Sequence, residues 1–146
     1  MKKVLAATLA CVAAFSVEAK ECTETDARTV ESKAGHPKTW DALYSGFKQY
    51  GHCDEGGPSQ VWSEAIIHLY TSSWSSLPKA AAFAQKDAAF RDFLLSHFRP
   101  TSDPDMLKAI AAHAQSQCPA EQKALCEDIG KSVKNALSGV EPGTPP

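Results

Sequence analysis

The strongest structural signal in this chain lies at residues 102–126, SDPDMLKAIAAHAQSQCPAEQKALC. Asp103 followed by Pro104 is typical of a helix start, because a capping side chain precedes proline in the first turn. Cys118 and Pro119 then end this helix and restart the chain into another. Apolar residues repeat at helical spacing on both sides of the break: Leu107, Ile110, Ala111 and Ala114 before it, and Leu125, Cys126, Ile129, Val133 and Leu137 after it. The segment therefore predicts a helical hairpin.

The chain upstream shows the same helical period. Four further helices are predicted: from Pro37 to a stop at Gly51, from about Ser59 to Trp74, from Pro78 through Phe83, and after an Asp87 cap. Their apolar faces give the predicted core: Trp40, Leu43, Tyr44, Phe47, Trp62, Ala65, Ile66, Leu69, Tyr70, Phe90, Phe93, Leu94 and Phe98. We find no segment with a period of two and no internal repeat. The predicted fold is all-α, a single-domain bundle of about five to six helices stapled by two disulfides.

A secretory signal peptide is predicted at residues 1–19. Two lysines precede the apolar residues 4–17, and a small-residue cleavage site ends at Ala19. The apolar stretch is shorter than the roughly 20 residues that span a bilayer. Lipidation at Cys11 is disfavoured, because Thr8 stands where a large aliphatic residue is expected. We therefore expect an exported protein of the periplasm that has no membrane anchor after removal of the signal.

Three other segments lack a helical period. Residues 20–36 are polar and are predicted to form an arm at the start of the helical domain, residues 20–137. Residues 51–58 contain too much glycine for a regular element and are predicted to be a loop. Residues 138–146 are rich in proline and glycine and are predicted to form a disordered tail.

The charge of the chain excludes two classes of partner. The formal net charge is −2, and removal of residues 1–19 leaves 13 basic and 16 acidic side chains. A protein that binds nucleic acid by neutralising phosphates needs a basic face. A protein held at a membrane surface by charge needs a polybasic segment. We therefore expect neither nucleic acid nor a membrane as a partner.

Four of the five cysteines follow the predicted signal peptide. An even number in an exported chain indicates two disulfides, with three possible connectivities. We favour Cys118–Cys126, which would staple the helical hairpin. The remaining pair, Cys22–Cys53, would then tie the arm to the loop before the second helix.

Five histidines are spread over the chain, but none belongs to a catalytic or metal-binding motif. The sequence contains no Cys-x-x-Cys pair and no two histidines three to five residues apart, which disfavours structural zinc. Metalloprotease, serine-hydrolase and phosphate-binding motifs are also absent. His97 and His113 are expected to flank the apolar faces of their helices. We predict that the protein is not an enzyme and holds neither metal nor cofactor.

The segment at residues 51–58, GHCDEGGP, is the most informative surface feature. It combines acidic side chains with glycines and is anchored by a cysteine, so it suits insertion into a basic cleft of another protein. The alternative is a connector that happens to be acidic. The predicted partner-binding residues are His52, Asp54, Glu55, Gly56 and Gly57, with Trp74 as an added anchor.

The features of this chain occur in an order that resembles that of a known family. In sequence order they are Cys53-Asp54-Glu55-Gly56-Gly57, a Trp- and Ser-rich helix through Glu64 and Ala65, Lys86-Asp87-Ala88-Ala89-Phe90 with Phe93-Leu94, and Cys118-Pro119 with Cys126. This layout is similar to that of the small periplasmic immunity proteins that bacteria pair with peptidoglycan-cutting amidase effectors of the type VI secretion system. The resemblance covers about residues 40–135 and rests on spacing and disulfide layout.

The resemblance implies an immunity protein that binds a cognate secreted effector, here a peptidoglycan amidase, and occludes its cleft with an exposed loop. A homodimer is compatible with the sequence. An alternative from another class is a periplasmic stress or acid-response protein, chaperone-like and helical, whose core loosens on protonation. The five histidines permit that alternative but do not require it.

Overall fold

The computed structural model describes residues 20–144, so the predicted signal peptide and the last two residues lie outside the described part. Within it the prediction of an all-α fold is confirmed. The α-helices are α1 (Glu24–Thr29), α2 (Trp40–Tyr50), α3 (Gly56–Ser72), α4 (Leu77–Lys86), α5 (Ala88–Ser96), α6 (Pro104–Ser116) and α7 (Lys123–Leu137). A π-helical segment, Val30–Ala34, continues α1, and short 3-10 turns precede α4 and α7. None of the helices in residues 20–144 is long and apolar enough to cross a bilayer.

Helix α3 lies at the centre of the core. It is buried on more than one face, and its side chains Trp62, Ile66 and Tyr70 are fully buried. Tyr70 packs edge-on against Trp40 of α2, with ring centroids 4.9 Å apart. Burial of an aromatic or large aliphatic side chain contributes about 1.5–3 kcal/mol. The aromatic residues of α2, α3 and α5 therefore supply much of the stability of the bundle.

The C-terminal hairpin forms as predicted. Asp103 caps α6, since its side chain accepts hydrogen bonds from the backbone N–H groups of Asp105 and Met106. The Cys118–Cys126 disulfide is present, with the two Cα atoms 6.1 Å apart. Helices α6 and α7 then pack along each other through the predicted stripes.

One residue of the predicted α7 stripe lies outside the core. Leu137 is 41% exposed, although it follows Val133 at helical spacing. It is the last residue of α7, so no facing helix covers it. Residues 138–144 beyond it form turns and are exposed.

The prediction that residues 20–36 form an arm is wrong. Thr23 caps α1 by accepting a hydrogen bond from the backbone N–H of Asp26, and the π-helical segment follows directly. Val30 is fully buried and is the apolar side chain by which this region enters the core. A single buried side chain gives no helical period, which is why the pattern predicts no structure here.

The region is also tied down covalently by the Cys22–Cys53 disulfide. This bridge is confirmed, with a Cα–Cα distance of 4.9 Å and a sequence separation of 31. Cys53 is buried whereas Cys22 is exposed. The bridge fixes the start of the domain to the turn between α2 and α3.

Two predicted helix starts are displaced for local reasons. Helix α2 begins at Trp40 rather than at Pro37, because the Thr39 side chain caps it by accepting from the backbone N–H of Ala42. Helix α3 begins at Gly56, so the predicted loop at residues 51–58 is shortened to a turn at residues 51–55. The Asp87 cap of α5 is placed as predicted.

Candidate functional site

A cleft of about 980 Å³ opens beside the turn at residues 51–55. Its walls are α3, the segment that connects α5 to α6, and the first turn of α6. The lining residues are Asp54, Glu55, Gly56, Ser59, Gln60, Ser63, Glu64, Ile67, His68, Arg99, Thr101, Ser102, Asp103 and Met106. The acidic part of the turn therefore forms one rim of the cleft.

The turn is anchored to the core at Cys53. The sulfur of Cys53 is bonded to Cys22, and its carbonyl oxygen accepts a hydrogen bond from Trp62 Nε1 at 3.1 Å. Trp62 is itself fully buried in α3. The backbone that carries Asp54 and Glu55 is thus held on two sides.

Asp54 is held further by a buried histidine. His97, at the end of α5, is fully buried, and its Nε2 lies 3.4 Å from Asp54 Oδ1. The other ring nitrogen, Nδ1, lies 2.8 Å from Ser63 Oγ on α3. Ser63 donates its hydroxyl hydrogen to the Ser59 carbonyl oxygen at 2.9 Å. These contacts join the turn, α3 and the end of α5 into one polar brace.

This brace keeps Asp54 ionised. Burial on its own raises the pKa of Asp54, because a carboxylate loses hydration inside the protein. The hydrogen bond and charge of His97 oppose it, together with the Ser59 hydroxyl and the charge of Arg99. These contributions prevail, and the pKa of Asp54 lies below its ordinary value. Asp54 is therefore an anion at neutral pH.

Ser63, His97 and Asp54 are the residue types of a serine-hydrolase triad, but their setting favours a structural role. Ser63 is only 7% exposed, and its hydroxyl is already donated to the chain one turn back in α3. Backbone N–H groups in the middle of a helix are used by the helix itself and cannot form an oxyanion hole. The cluster is therefore better suited to hold Asp54 in place than to attack a carbonyl group.

Of the two glycines in the predicted binding loop, Gly56 is required by the backbone conformation. It has a φ of +57°, in the left-handed region that favours glycine. At Gly57 a Cβ atom would meet only the end of the exposed Glu31 side chain, which can move away. Both residues lie in the first turn of α3 and therefore do not supply a flexible loop.

His52 points away from the cleft, towards α1. Its Nε2 lies 3.2 Å from Asp26 Oδ2, and both side chains are partly buried. The hydrogen bond from His52 is the main reason why the pKa of Asp26 is lowered. The sulfur of Cys53 lies within 4.8 Å of the nearest donor atoms of both, but it is in the disulfide and is not a free thiolate. His52 thus fastens the turn to α1 and does not line the cleft.

Trp74 does not lie on the surface, and its assignment as a partner-binding anchor is wrong. Its side chain is 7% exposed and stacks on His113, with ring centroids 5.3 Å apart. Its Nε1 donates to the carbonyl oxygen of Gln117 at 3.0 Å. The ring links the end of α3 to the end of α6, so its role is in packing.

Of the predicted binding residues, Asp54, Glu55 and Gly56 line the cleft, whereas His52, Gly57 and Trp74 do not. The prediction missed Ser59, Ser63, His97 and Arg99. Ser59 and Ser63 are polar residues at i and i+4 on the buried side of an apolar helix, and that spacing was the available signal. Arg99 donates from Nη2 to Ser59 Oγ at 2.9 Å. No sequence pattern pairs it with α3.

Comparison of the chain with protein-family models, with curated proteins and with solved structures gave no match.

Proposed function

We propose that this protein is a periplasmic immunity protein that binds a secreted cell-wall-degrading effector and occludes its active site. The effector class implied by the sequence resemblance is a peptidoglycan amidase. In this proposal the protein acts by binding and not by catalysis, and it protects the cell that produces it from effector delivered by neighbouring cells.

The observation that carries the proposal is the rigid acidic rim of the cleft. Asp54 is fixed by His97, and Glu55 beside it is exposed with no ion pair among the described residues. A binding surface that is already ordered loses little entropy on association. Charged groups on such a surface also raise the rate of encounter with a partner of opposite charge. These properties are those expected of an inhibitor that must capture a toxin quickly.

The disulfides support the proposed compartment. Both pairs of cysteines are bridged, and disulfides form and persist in oxidising compartments such as the bacterial periplasm. The cell wall, which is the target of the implied effector, is reached from the same compartment. An inhibitor placed there would meet the effector before it reaches its substrate.

A competition on solid medium tests the proposal. A strain that lacks this protein is grown in contact with its secretion-competent parent and, separately, with a secretion-deficient parent. We expect the deletion strain to be outcompeted only by the secretion-competent parent, and the effector to co-purify with the protein from that parent. Equal survival against both parents would contradict the proposal. The acid-response alternative would then be tested by titrating hydrophobic-dye binding against pH.

A further inference from the structure

The cleft concentrates negative charge. Its lining includes four carboxylates, those of Asp54, Glu55, Glu64 and Asp103, against the single guanidinium group of Arg99. The whole chain has a formal net charge of only −2, so the cleft is more acidic than the chain as a whole. A concave surface lined by one sign of charge focuses the electric field and attracts the opposite charge.

The four carboxylates differ in the contacts that they already make within the protein. Asp103 caps α6, and Asp54 contacts His97. Glu64 accepts a hydrogen bond from Gln60 Nε2 at 3.2 Å, and neither it nor Glu55 forms an ion pair among residues 20–144. Two exposed carboxylates on the cleft walls are therefore free to pair with a cation.

A second observation does not depend on net charge. His97 is fully buried, and its Nε2 faces Asp54 Oδ1 at 3.4 Å, so these two groups pair with each other. Arg99 Nε, on a residue that lines the cleft, is buried and has no hydrogen-bond partner among the described residues. Buried polar atoms are paired in most proteins, so this donor indicates an occupant that accepts a hydrogen bond. Since the exposed carboxylates of the cleft require a donor, the occupant must both donate and accept.

The walls of the cleft are not wholly polar. Ile67 of α3 and Met106 of α6 also line it and supply apolar surface. An arginine side chain has a matching division, with an aliphatic stem and a charged planar end that pairs with carboxylates. The polypeptide that bears it also supplies carbonyl oxygens, which a free metal ion or a simple amine does not.

We propose that the cleft binds an arginine side chain on a protruding loop of a protein partner. The guanidinium group would pair with Glu55 and Glu64 and donate to Asp54, the stem would pack on Ile67 and Met106, and a carbonyl oxygen of the loop would accept from Arg99. The identity of the partner as the effector rests on the proposed function. In this arrangement the protein supplies the cleft and the partner supplies the insertion, which is the reverse of the geometry that the sequence resemblance implies.

The test uses the ¹⁵N-labelled protein with both disulfides formed and the peptide acetyl-Gly-Arg-Gly-amide as the probe. The matched peptide carries citrulline, which keeps the shape of arginine without its charge. We expect saturable NMR shift changes at the cleft residues with the arginine peptide and none with the citrulline peptide. Glu64→Gln should weaken binding about 3-fold, as expected for an exposed ion pair. Glu127→Gln, at an exposed carboxylate of α7, should leave binding unchanged.

Equal binding of the two peptides would overturn the proposal, as would shift changes centred elsewhere or equal affinities for the Glu64→Gln and Glu127→Gln variants. Glu55→Gln is a second variant for the same comparison. The measurement needs neither the effector nor the secreting strain. Its outcome is therefore independent of the competition that tests immunity, and failure of either can be told from failure of the other.

Discussion

The two disulfides hold regions of different character. Cys118–Cys126 closes a short segment between two helices, with a sequence separation of 8, where capping, proline and apolar spacing already specify the hairpin. Cys22–Cys53 spans a separation of 31 and joins α1 to the turn that forms the cleft rim. In the first region local sequence signals determine the structure. In the second, contacts between residues distant in sequence do so.

This difference extends to the polar contacts of each region. At the cleft, Asp54 is positioned by His97, and Arg99 reaches Ser59 across from another segment. The stripes of α6 and α7 are instead apolar. Long-range polar contacts also occur elsewhere, as between Trp74 and Gln117, but at the cleft they position the charged residues that are proposed to bind a partner.

Removing each disulfide should give the largest and most unequal effects. A bridge that closes a longer loop restricts the unfolded chain more. We expect the Cys22→Ala/Cys53→Ala protein to lose about 3.7 kcal/mol of unfolding free energy, and the Cys118→Ala/Cys126→Ala protein about 2.6 kcal/mol. Urea denaturation of both proteins under identical conditions measures the difference. If the short bridge proved the more stabilising, the comparison of the two regions would be incorrect.

Replacing His97 tests whether the polar brace holds the cleft rim in place. In His97→Leu the side chains of Asp54 and Ser63 lose their buried partner, which should lower the unfolding free energy by about 3 kcal/mol. His68→Leu is the matched control, because His68 is exposed on the same helix that carries Ser63. It should change stability by less than about 0.5 kcal/mol. Similar values for the two variants, measured by urea denaturation, would show that the brace contributes nothing.

Two glycines should respond to alanine in opposite directions. Gly56 has a φ of +57°, so Gly56→Ala should lower the unfolding free energy by about 1 kcal/mol. A Cβ atom at Gly130, within α7, meets no atom within 4 Å, so Gly130→Ala should raise it by about 1 kcal/mol. Thermal unfolding of the two variants gives the signs directly. A stabilising Gly56→Ala would mean that the turn does not require the left-handed conformation.

Acid should lower the unfolding free energy through the two carboxylates that contact histidines near the turn at residues 51–55. The pKa values of Asp54 and Asp26 are lowered in the folded protein by their histidine partners, so the unfolded chain binds protons more readily. The stability from these carboxylates is present above their ordinary pKa and is lost as the pH falls through the folded pKa. Asp54→Asn should therefore flatten the loss of stability between about pH 5 and pH 2. An unchanged slope in urea denaturation across this range would contradict the assignment.

The sequence predicts the fold well where local signals determine it and poorly where contacts between distant residues do. The hairpin, the aromatic core and the Asp87 cap depend on spacing within one helix or on neighbouring residues, and these predictions are confirmed. Helix α1 is not predicted from the sequence, because none of its own residues is buried. The chain enters the core at Val30, in the π-helical segment that follows, and a disulfide fixes the region to a distant turn.

The candidate site was predictable only in part. Asp54 and Glu55 were identified as an acidic surface, but their neighbours His97 and Arg99 come from more than forty residues away in the chain. Glycine and acidic residues in sequence suggested a protruding loop. The same residues instead form the start of a helix and the rim of a cleft, because Gly56 begins α3. The same acidic and glycine residues can form a protruding loop or the rim of a cleft, and the residues that pack beside them decide which of the two forms.

Complementation of the deletion strain tests the central claim most directly. The strain receives either the Glu55→Lys/Glu64→Lys protein, which reverses the charge of the cleft walls, or the Glu127→Lys protein, which reverses an exposed charge on α7. Both proteins should accumulate to equal levels, which immunoblotting checks. We predict that Glu127→Lys restores survival against the secretion-competent parent and that Glu55→Lys/Glu64→Lys does not. Full protection by the cleft variant would contradict the claim that this face binds the effector.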